Sequence, residues 1–180
     1  MAKQLLFFFF FIVVLFHPVD VVTANIVTDT CWKISHGNSM LNNQFCVSLF
    51  NSVPSSHNTD MKGLTLISIQ LTTQKAKQVL ADIYRFLGST QPKDPKIICL
   101  KSCQQSYLDA IGSLNDSVQM IETKDYIDAQ MALSAAFDAG SDCERSFSES
   151  KISSLLSNDN DSYTRVAYIP LLIVADFFVE

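Results

Sequence analysis

The five cysteines are the residues of this 180-residue chain with the most chemical potential. None of them forms a Cys-x-x-Cys pair, whereas a structural zinc site needs several ligands at close spacing, so the pattern does not favour a metal site. In a secreted chain, such cysteines are first of all disulfide candidates. Because five is odd, we expect one free thiol among Cys31, Cys46, Cys99, Cys103 and Cys143.

Other side chains that could support catalysis are few. Outside the first 24 residues, the only histidines are His36 and His57, both in predicted polar loops. No Gly-x-Ser-x-Gly, His-Glu-x-x-His or glycine-rich phosphate-binding motif occurs. Glu122, Glu144 and Glu149 could act as acid and base only if folding paired them. The net charge is −5 at pH 7, without a basic run. We therefore predict no enzyme, cofactor, metal ion or nucleic-acid partner.

The first 24 residues are typical of a secretory signal peptide. Lys3 gives a short basic start, Leu5–Phe16 is an unbroken apolar run of 12 residues, and Pro18 follows. Val22–Ala24 matches the small-residue pattern at which signal peptidase cleaves. A membrane anchor is the alternative, but a span needs about 20 apolar residues. We expect residues 1–24 to be a cleaved signal peptide and no membrane association.

Apolar residues recur at steps of three and four along four later segments, which is typical of helices with one buried face. The stretch Asn58-Thr59-Asp60 offers a cap for the first helix, and Gly88 follows its end. Asp94 and Pro95 open the second, and the third runs from about Asp125 to Phe147. The fourth is expected from about residue 162. Few strand signals occur, and short connections imply antiparallel neighbours. We predict an all-α fold, an up-and-down four-helix bundle over residues 57–180. Its stripes are Leu66, Ile69, Thr73, Ala76, Leu80, Ile83 and Leu87; Leu100, Cys103, Tyr107, Ile111, Leu114, Val118 and Ile121; Tyr126, Ala129, Leu133, Ala136, Phe137 and Phe147; and Val166, Ile169, Ile173 and Phe177.

Residues 25–56 are predicted to form a helical hairpin that precedes the bundle. Ile26–Ser35 and roughly Leu41–Val53 have helical patterns, with a turn around Gly37. Cys31 and Cys46 bracket that turn, so a disulfide could join the two helices. Because so small a hairpin has little core of its own, we expect it to need this bond and a docking surface.

The bundle geometry offers a partner for Cys143. Cys103 lies early in the second helix and Cys143 late in the third, and antiparallel packing brings such positions together. In the chain-entropy model, a disulfide over a loop of this size stabilises the fold by about 4 kcal/mol. The alternative is that Cys143 is a buried free thiol.

The apolar C-terminal run from Val166 to Glu180 allows two interpretations. A hydrophobic tail of this kind can be a lipid-anchor signal. However, Asp176 interrupts the run and its apolar residues keep helical spacing, so we expect a core helix. Pro170 is expected to kink or locally open that helix.

Two Asn-x-Ser motifs match the acceptor pattern for N-glycosylation. They begin at Asn115 and Asn160. Asn160 falls in a predicted polar loop and is the expected acceptor, whereas Asn115 is predicted to lie in the middle of a helix.

Three stretches resemble the plant invertase and pectin methylesterase inhibitor family, over nearly the whole chain after residue 24. They are the hairpin around Thr30–Cys31 and FCVSL from Phe45, CQQSYLDAIGSL from Cys103, and KDYIDAQMALSAAFDAGSDCERSF from Lys124. With GLTLIS from Gly63, the chain is most similar to the branch of invertase inhibitors that includes a plane-tree pollen allergen. The resemblance implies the bonds Cys31–Cys46 and Cys103–Cys143, and leaves Cys99 as a buried thiol.

The resemblance also implies a function. Members of the family form stoichiometric complexes with cell-wall enzymes and block their substrate clefts, which implies a non-catalytic inhibitor of invertase or pectin methylesterase. Its expected location is the cell wall (apoplast), with the vacuole as a second possibility. The alternative function is a secreted, allergen-like helical bundle that binds but does not inhibit.

The expected target contact is the segment Lys124-Asp125-Tyr126. Invertase inhibitors of the family insert a Pro-Lys-Phe motif into the glycosidase cleft, and this segment is similar to it only in the aromatic residue. Asp125 would face the catalytic carboxylates of a glycosidase unfavourably, while Lys-Asp-Tyr also occurs in pectin methylesterase inhibitors, so the target stays open. The alternative is structural: Asp125 interacts with the dipole of a helix N-terminus, and Tyr126 begins a core stripe.

Overall fold

The computed structural model describes residues 25–179. The predicted signal peptide, residues 1–24, lies outside these residues. Within them there is no β-strand, and the secondary structure consists of α-helices and one 3-10 helix. The helices are α1 Ile26–Ser35, α2 Asn43–Asn51, the 3-10 helix Pro54–Asn58, α3 Met61–Ser89, α4 Lys96–Thr123, α5 Tyr126–Phe137, α6 Ala139–Glu149 and α7 Ser157–Phe177.

Four antiparallel rods make up the bundle, and the all-α prediction with two disulfides is confirmed. The rods are α3, α4, the consecutive pair α5 and α6, and α7. Both α3 and the α5–α6 rod pack against α4 and α7, so they occupy diagonal corners. The predicted stripes supply the core, because helices of a bundle bury the face that carries apolar residues. Fully buried side chains from all four rods include Ile69, Ala76, Ile83, Leu100, Cys103, Tyr107, Leu114, Ile121, Ala129, Leu133, Phe147 and Tyr163.

The third rod differs from the prediction of one continuous helix over Asp125–Phe147. It is interrupted at Asp138, which separates α5 from α6. Just beyond, Gly140 packs directly against α7: a Cβ atom added to it would lie 2.5 Å from Thr164 Oγ1 and 3.0 Å from the Asn160 carbonyl oxygen. Thus α6 approaches α7 closely immediately after the interruption.

The fourth rod begins five residues earlier than expected. Helix α7 starts at Ser157 instead of near Ser162, so the prediction of a polar loop around Asn160 is wrong. The amide N–H of Asn160 donates a helical hydrogen bond to the Leu156 carbonyl at 2.8 Å. Leu156 itself is fully buried, which anchors the start of the helix in the core.

Pro170 lies inside α7, and the helix continues past it instead of opening. A proline lacks the N–H that would bond to the carbonyl four residues earlier, which here belongs to Val166. The buried hydroxyl of Thr72 in α3 lies 3.4 Å from this carbonyl oxygen, while its shorter bond, of 2.8 Å, goes to Ser68. A side chain from a neighbouring helix therefore partly satisfies the acceptor that the proline leaves free.

The hairpin docks where α3 begins and α7 ends. Val27, Ile34 and Phe50 form a second apolar cluster with Leu64 of α3 and with Ile173 of α7. A disulfide joins Cys31 to Cys46, with the Cα atoms 5.6 Å apart. Gly37 in the connecting turn has φ +73°, a conformation that glycine adopts without steric cost. The bond and the docking surface expected from the sequence are thus both present.

The C-terminal apolar run is a core helix, as predicted. Ile169, Ile173 and Val174 are fully buried between the bundle and the hairpin. None of the helices between residues 25 and 179 has the length and apolarity that a membrane crossing requires.

Candidate functional site

The connection between α4 and α5 is short and tightly hydrogen-bonded. Lys124 adopts a left-handed conformation, with φ +64° and ψ +27°. Its N–H donates to the Ile121 carbonyl at 3.3 Å, and that of Asp125 donates to the Met120 carbonyl at 2.8 Å. This is a Schellman motif. Lys151 at the end of α6 also has a positive φ, so the conformation marks a helix end and is not by itself a functional feature.

The three residues of the predicted target contact differ in their surroundings. Lys124 and Asp125 are exposed, and the carboxylate of Asp125 makes no capping hydrogen bond to α5. Tyr126 is half-buried, and its ring lies 4.6 Å from that of Phe178 beyond α7. Tyr126 therefore packs at the edge of the core, as the structural alternative predicted, while its two neighbours remain accessible.

Two exposed apolar side chains follow on α5. Ile127 is 65% exposed and Met131 is 64% exposed. Their i,i+4 spacing places them on the same face of the helix, opposite the buried Ala129 and Leu133. They lie outside the predicted core stripe, and a large apolar residue off that stripe was the one sequence signal that could have identified them. We refer to Lys124, Asp125, Ile127 and Met131 as the α5 patch.

An ion pair lies beside this end of the bundle. Lys62 at the start of α3 bonds to Glu122 in the last turn of α4. This hydrogen bond raises the pKa of Lys62, although its side chain is accessible to solvent. Because exposed ion pairs contribute little stability, its structural effect is to join two helix ends next to the α4–α5 connection.

A disulfide holds the third rod against α4. Cys103 and Cys143 are bonded and fully buried, with Cα atoms 4.4 Å apart. The remaining cysteine, Cys99, is a buried free thiol one helical turn before Cys103. Its Sγ lies 3.4 Å from the Ser146 carbonyl oxygen, to which the thiol donates. All three cysteines thus lie at the interface of α4 with α6.

A polar network surrounds this disulfide. The hydroxyl of Tyr107 donates to Asn160 Oδ1 at 2.7 Å, and Asn160 Nδ2 donates to Glu144 Oε1 at 2.6 Å. The same Nδ2 lies 3.2 Å from Cys143 Sγ. Burial raises the pKa of Tyr107 well above its ordinary value, so the phenol stays protonated and can donate. The network links α4, α6 and α7.

The remaining side chains that could support catalysis are not brought together. Glu144 belongs to the buried network, Glu122 pairs with Lys62, and Glu149 is exposed at the end of α6. His36 stacks on Trp32 in the hairpin, with ring centroids 5.0 Å apart. Residues 25–179 contain no group of three or more His, Cys, Asp or Glu side chains placed to hold a metal ion.

The known proteins that resemble this chain and are described below are all named as enzyme inhibitors. Two proteins named "Putative invertase inhibitor", from Platanus orientalis and Platanus acerifolia, are each 34% identical over 155 residues. The alignments cover 85% of this chain, with 90% and 86% of the relatives respectively. A pectinesterase inhibitor from Actinidia deliciosa is 36% identical over 107 residues, covering 59% of this chain and 57% of its own.

Solved structures and a family model agree with these relatives. A pectin methylesterase inhibitor from Arabidopsis thaliana superposes with a TM-score of 0.59 and 22% identity, covering 86% of this chain and 97% of its own. A mutant form of a pectin methylesterase inhibitor from Arabidopsis gives a TM-score of 0.64 at 22% identity, covering 79% and 96%. The family model described as plant invertase/pectin methylesterase inhibitor matches residues 25–173. The chain therefore belongs to the plant invertase/pectin methylesterase inhibitor family, whose members are inhibitors and not enzymes.

Proposed function

We propose that this protein is secreted and inhibits an invertase or a pectin methylesterase by binding over its substrate cleft. The observation that carries this proposal is the α5 patch. Exposed aliphatic side chains beside a fixed loop are what a protein-binding surface needs, because apolar contacts surrounded by polar groups supply most of the affinity of protein complexes. Inhibition of this kind requires no catalytic residue, cofactor or metal ion.

A rigid support makes the α5 patch suitable for binding. The ring of Tyr126 packs against that of Phe178, and the Schellman motif fixes the backbone of Lys124. The Cys103–Cys143 bond fastens the same rod to α4. Since a preorganised surface loses little conformational entropy on binding, these contacts favour a tight complex.

The named relatives support both invertase and pectin methylesterase as the target enzyme. The Platanus proteins, which align over 155 residues, are named for invertase, whereas the Actinidia protein, which aligns over 107, is named for pectinesterase. Glycosidases generally use a pair of carboxylates, and Asp125 would be repelled by them in the cleft. We therefore propose that Ile127 and Met131 provide the principal contacts with either enzyme, and that Asp125 stays at the rim.

Secretion is supported by the cysteines. Disulfides persist in oxidising compartments, and both pairs are formed in the folded chain. Together with the predicted signal peptide, this supports an extracellular location, for which we propose the cell wall.

Replacing Ile127 and Met131 by alanine should raise the inhibition constant at least tenfold. Truncating central apolar contacts typically costs more than about 1 kcal/mol of binding free energy each, and about 1.4 kcal/mol corresponds to a factor of ten. The measurement is an inhibition titration against purified acid invertase and pectin methylesterase. Both side chains are exposed, so the thermal stability should not change.

The control for this experiment is Ile98→Ala. Ile98 is 73% exposed in the first turn of α4, at the opposite end of the bundle. It matches Ile127 in residue type and exposure, and its replacement should leave the inhibition constant unchanged. Equal inhibition constants for the wild type and the α5 double variant would refute the assignment of the α5 patch.

A further inference from the structure

The two glycosylation motifs lie in opposite environments. Asn160, the acceptor expected from the sequence, is only 2% exposed and lies in the first turn of α7. Asn115 is exposed on the surface of α4. The accessibility of the two asparagines thus favours Asn115 as the acceptor, whereas the local sequence favours Asn160.

The amide of Asn160 has no room for a sugar. Its oxygen accepts from Tyr107, and its nitrogen donates to Glu144 and faces the sulfur of Cys143. An N-linked glycan would replace one hydrogen on this nitrogen by a bulky polar group pointing at the buried disulfide. A chain modified at Asn160 could not form this network, and we expect it not to reach the native fold.

Asn115, in contrast, lines a surface groove between α3 and α4. The groove has a volume of about 460 Å³. Its walls combine aliphatic side chains, which can pack against the apolar face of a sugar ring, with amide and hydroxyl groups that can hydrogen-bond to sugar hydroxyls. The aliphatic walls include Leu66 and Val118, and the polar walls include Gln70, Thr73 and Gln74.

We propose that Asn115 carries an N-linked glycan whose first sugars cover the α3–α4 groove, and that Asn160 is unmodified in the folded protein. The donor is an oligosaccharide linked to a lipid diphosphate. The Asn115 amide nitrogen bonds to the anomeric carbon of the first sugar, the bond from that carbon to the diphosphate oxygen breaks, and the amide loses one proton. The proposal requires the secretory route predicted from residues 1–24.

The glycan would cover a different face of the bundle from the α5 patch. Helices α3 and α5 occupy diagonal corners of the bundle, since each packs against α4 and α7. The α3–α4 face would be shielded by sugar, while the outer surface of α5 remains free. Occupancy of Asn115 is therefore compatible with the proposed inhibition and restricts the faces that a target enzyme can reach.

The test is peptide mapping of the monomeric protein secreted by a eukaryotic host that expresses the full chain. Deglycosylation by peptide N-glycosidase in ¹⁸O-labelled water marks each occupied asparagine. We expect the mark at Asn115 and none at Asn160. The glycan should be absent from Asn115→Gln, and the mass of the attached glycan should be the same in Ser162→Ala as in the wild type. Ser162→Ala is the matched control, because it removes the second motif without altering the Asn160 amide.

A secreted, folded monomer with a glycan at Asn160, or with Asn115 unoccupied, would overturn the proposal. A second version of the protein, with the host's own signal sequence in place of residues 1–24, separates a failure of secretion from a failure of glycosylation. With the target enzyme identified, Asn115→Gln should keep the wild-type inhibition constant. A weakened complex would show that the α3–α4 face takes part in binding and would contradict the position given to the glycan.

Discussion

Replacing Cys103 and Cys143 by alanine together is expected to lower the free energy of unfolding by about 4 kcal/mol. The disulfide closes a loop with a sequence separation of 40, and its loss gives the unfolded chain the conformational freedom of that loop. Domains of this size are stable by only about 5–15 kcal/mol, so the variant should lose a large part of its total stability. The measurement is denaturant unfolding of the wild type and the variant, and the free energies of unfolding extrapolated to water are compared.

Cys99→Ala is the matched control for this variant. Cys99 is as deeply buried as Cys103 and lies one turn away on the same face of α4, but it closes no loop. Its replacement removes a small side chain and a weak hydrogen bond, and we expect a loss of about 1 kcal/mol. If the control and the double variant lost equal stability, the disulfide would have no effect beyond packing, and the role assigned to it would be wrong.

Asn160→Leu is expected to lower the free energy of unfolding by about 3 kcal/mol. Leucine has a similar volume, so the change chiefly removes polar contacts. The buried hydroxyl of Tyr107 would lose its acceptor and Glu144 would lose a donor. An unsatisfied buried polar group costs about 1–3 kcal/mol, and hydrogen bonds to charged groups contribute about 1.5–3 kcal/mol. Thermal or denaturant unfolding measures the difference.

A double-mutant cycle separates this network from simple packing. With Tyr107→Phe added, the orphaned hydroxyl disappears, and two apolar partners can replace a hydrogen-bonded pair at little cost. The double variant should therefore be less destabilised than the sum of the single variants. Ser162→Ala, at a half-buried position outside this network, is the control and should match the wild type. Additive losses in the cycle would contradict the coupling of Tyr107 to Asn160.

Most of the bundle could be predicted because its information is local. Apolar residues at helical spacing, such as Ile69, Ala76 and Ile83, lie on the face that is buried. The hairpin was predictable for the same reason, and its first helix has the expected bounds, Ile26–Ser35.

The errors arose where tertiary contacts override local preference. The polar residues around Asn160 are typical of a loop, yet Asn160 is helical because Tyr107 and Glu144, distant in sequence, satisfy its amide. The interruption at Asp138 adjoins the close approach of Gly140 to α7, which no local pattern reveals.

The candidate site was predictable in position but not in composition. The α4–α5 connection was located by its resemblance to a family motif, whereas Ile127 and Met131 were recognised only from their exposure. A core stripe identifies the residues that stabilise a helix. The residues proposed to bind a partner lie on the other face, where the only sequence signal is a large apolar residue off the core stripe.

The most direct test of the inhibitor function is a parallel titration of acid invertase and pectin methylesterase with the disulfide-bonded protein comprising residues 25–180. The activity of one enzyme should fall in proportion to the added protein and vanish near equimolar ratio, because in the proposed mode each protein molecule blocks one cleft. Full activity of both enzymes at a large excess of protein, with both disulfides verified by peptide mapping, would contradict the account. It would favour a helical bundle that inhibits neither enzyme.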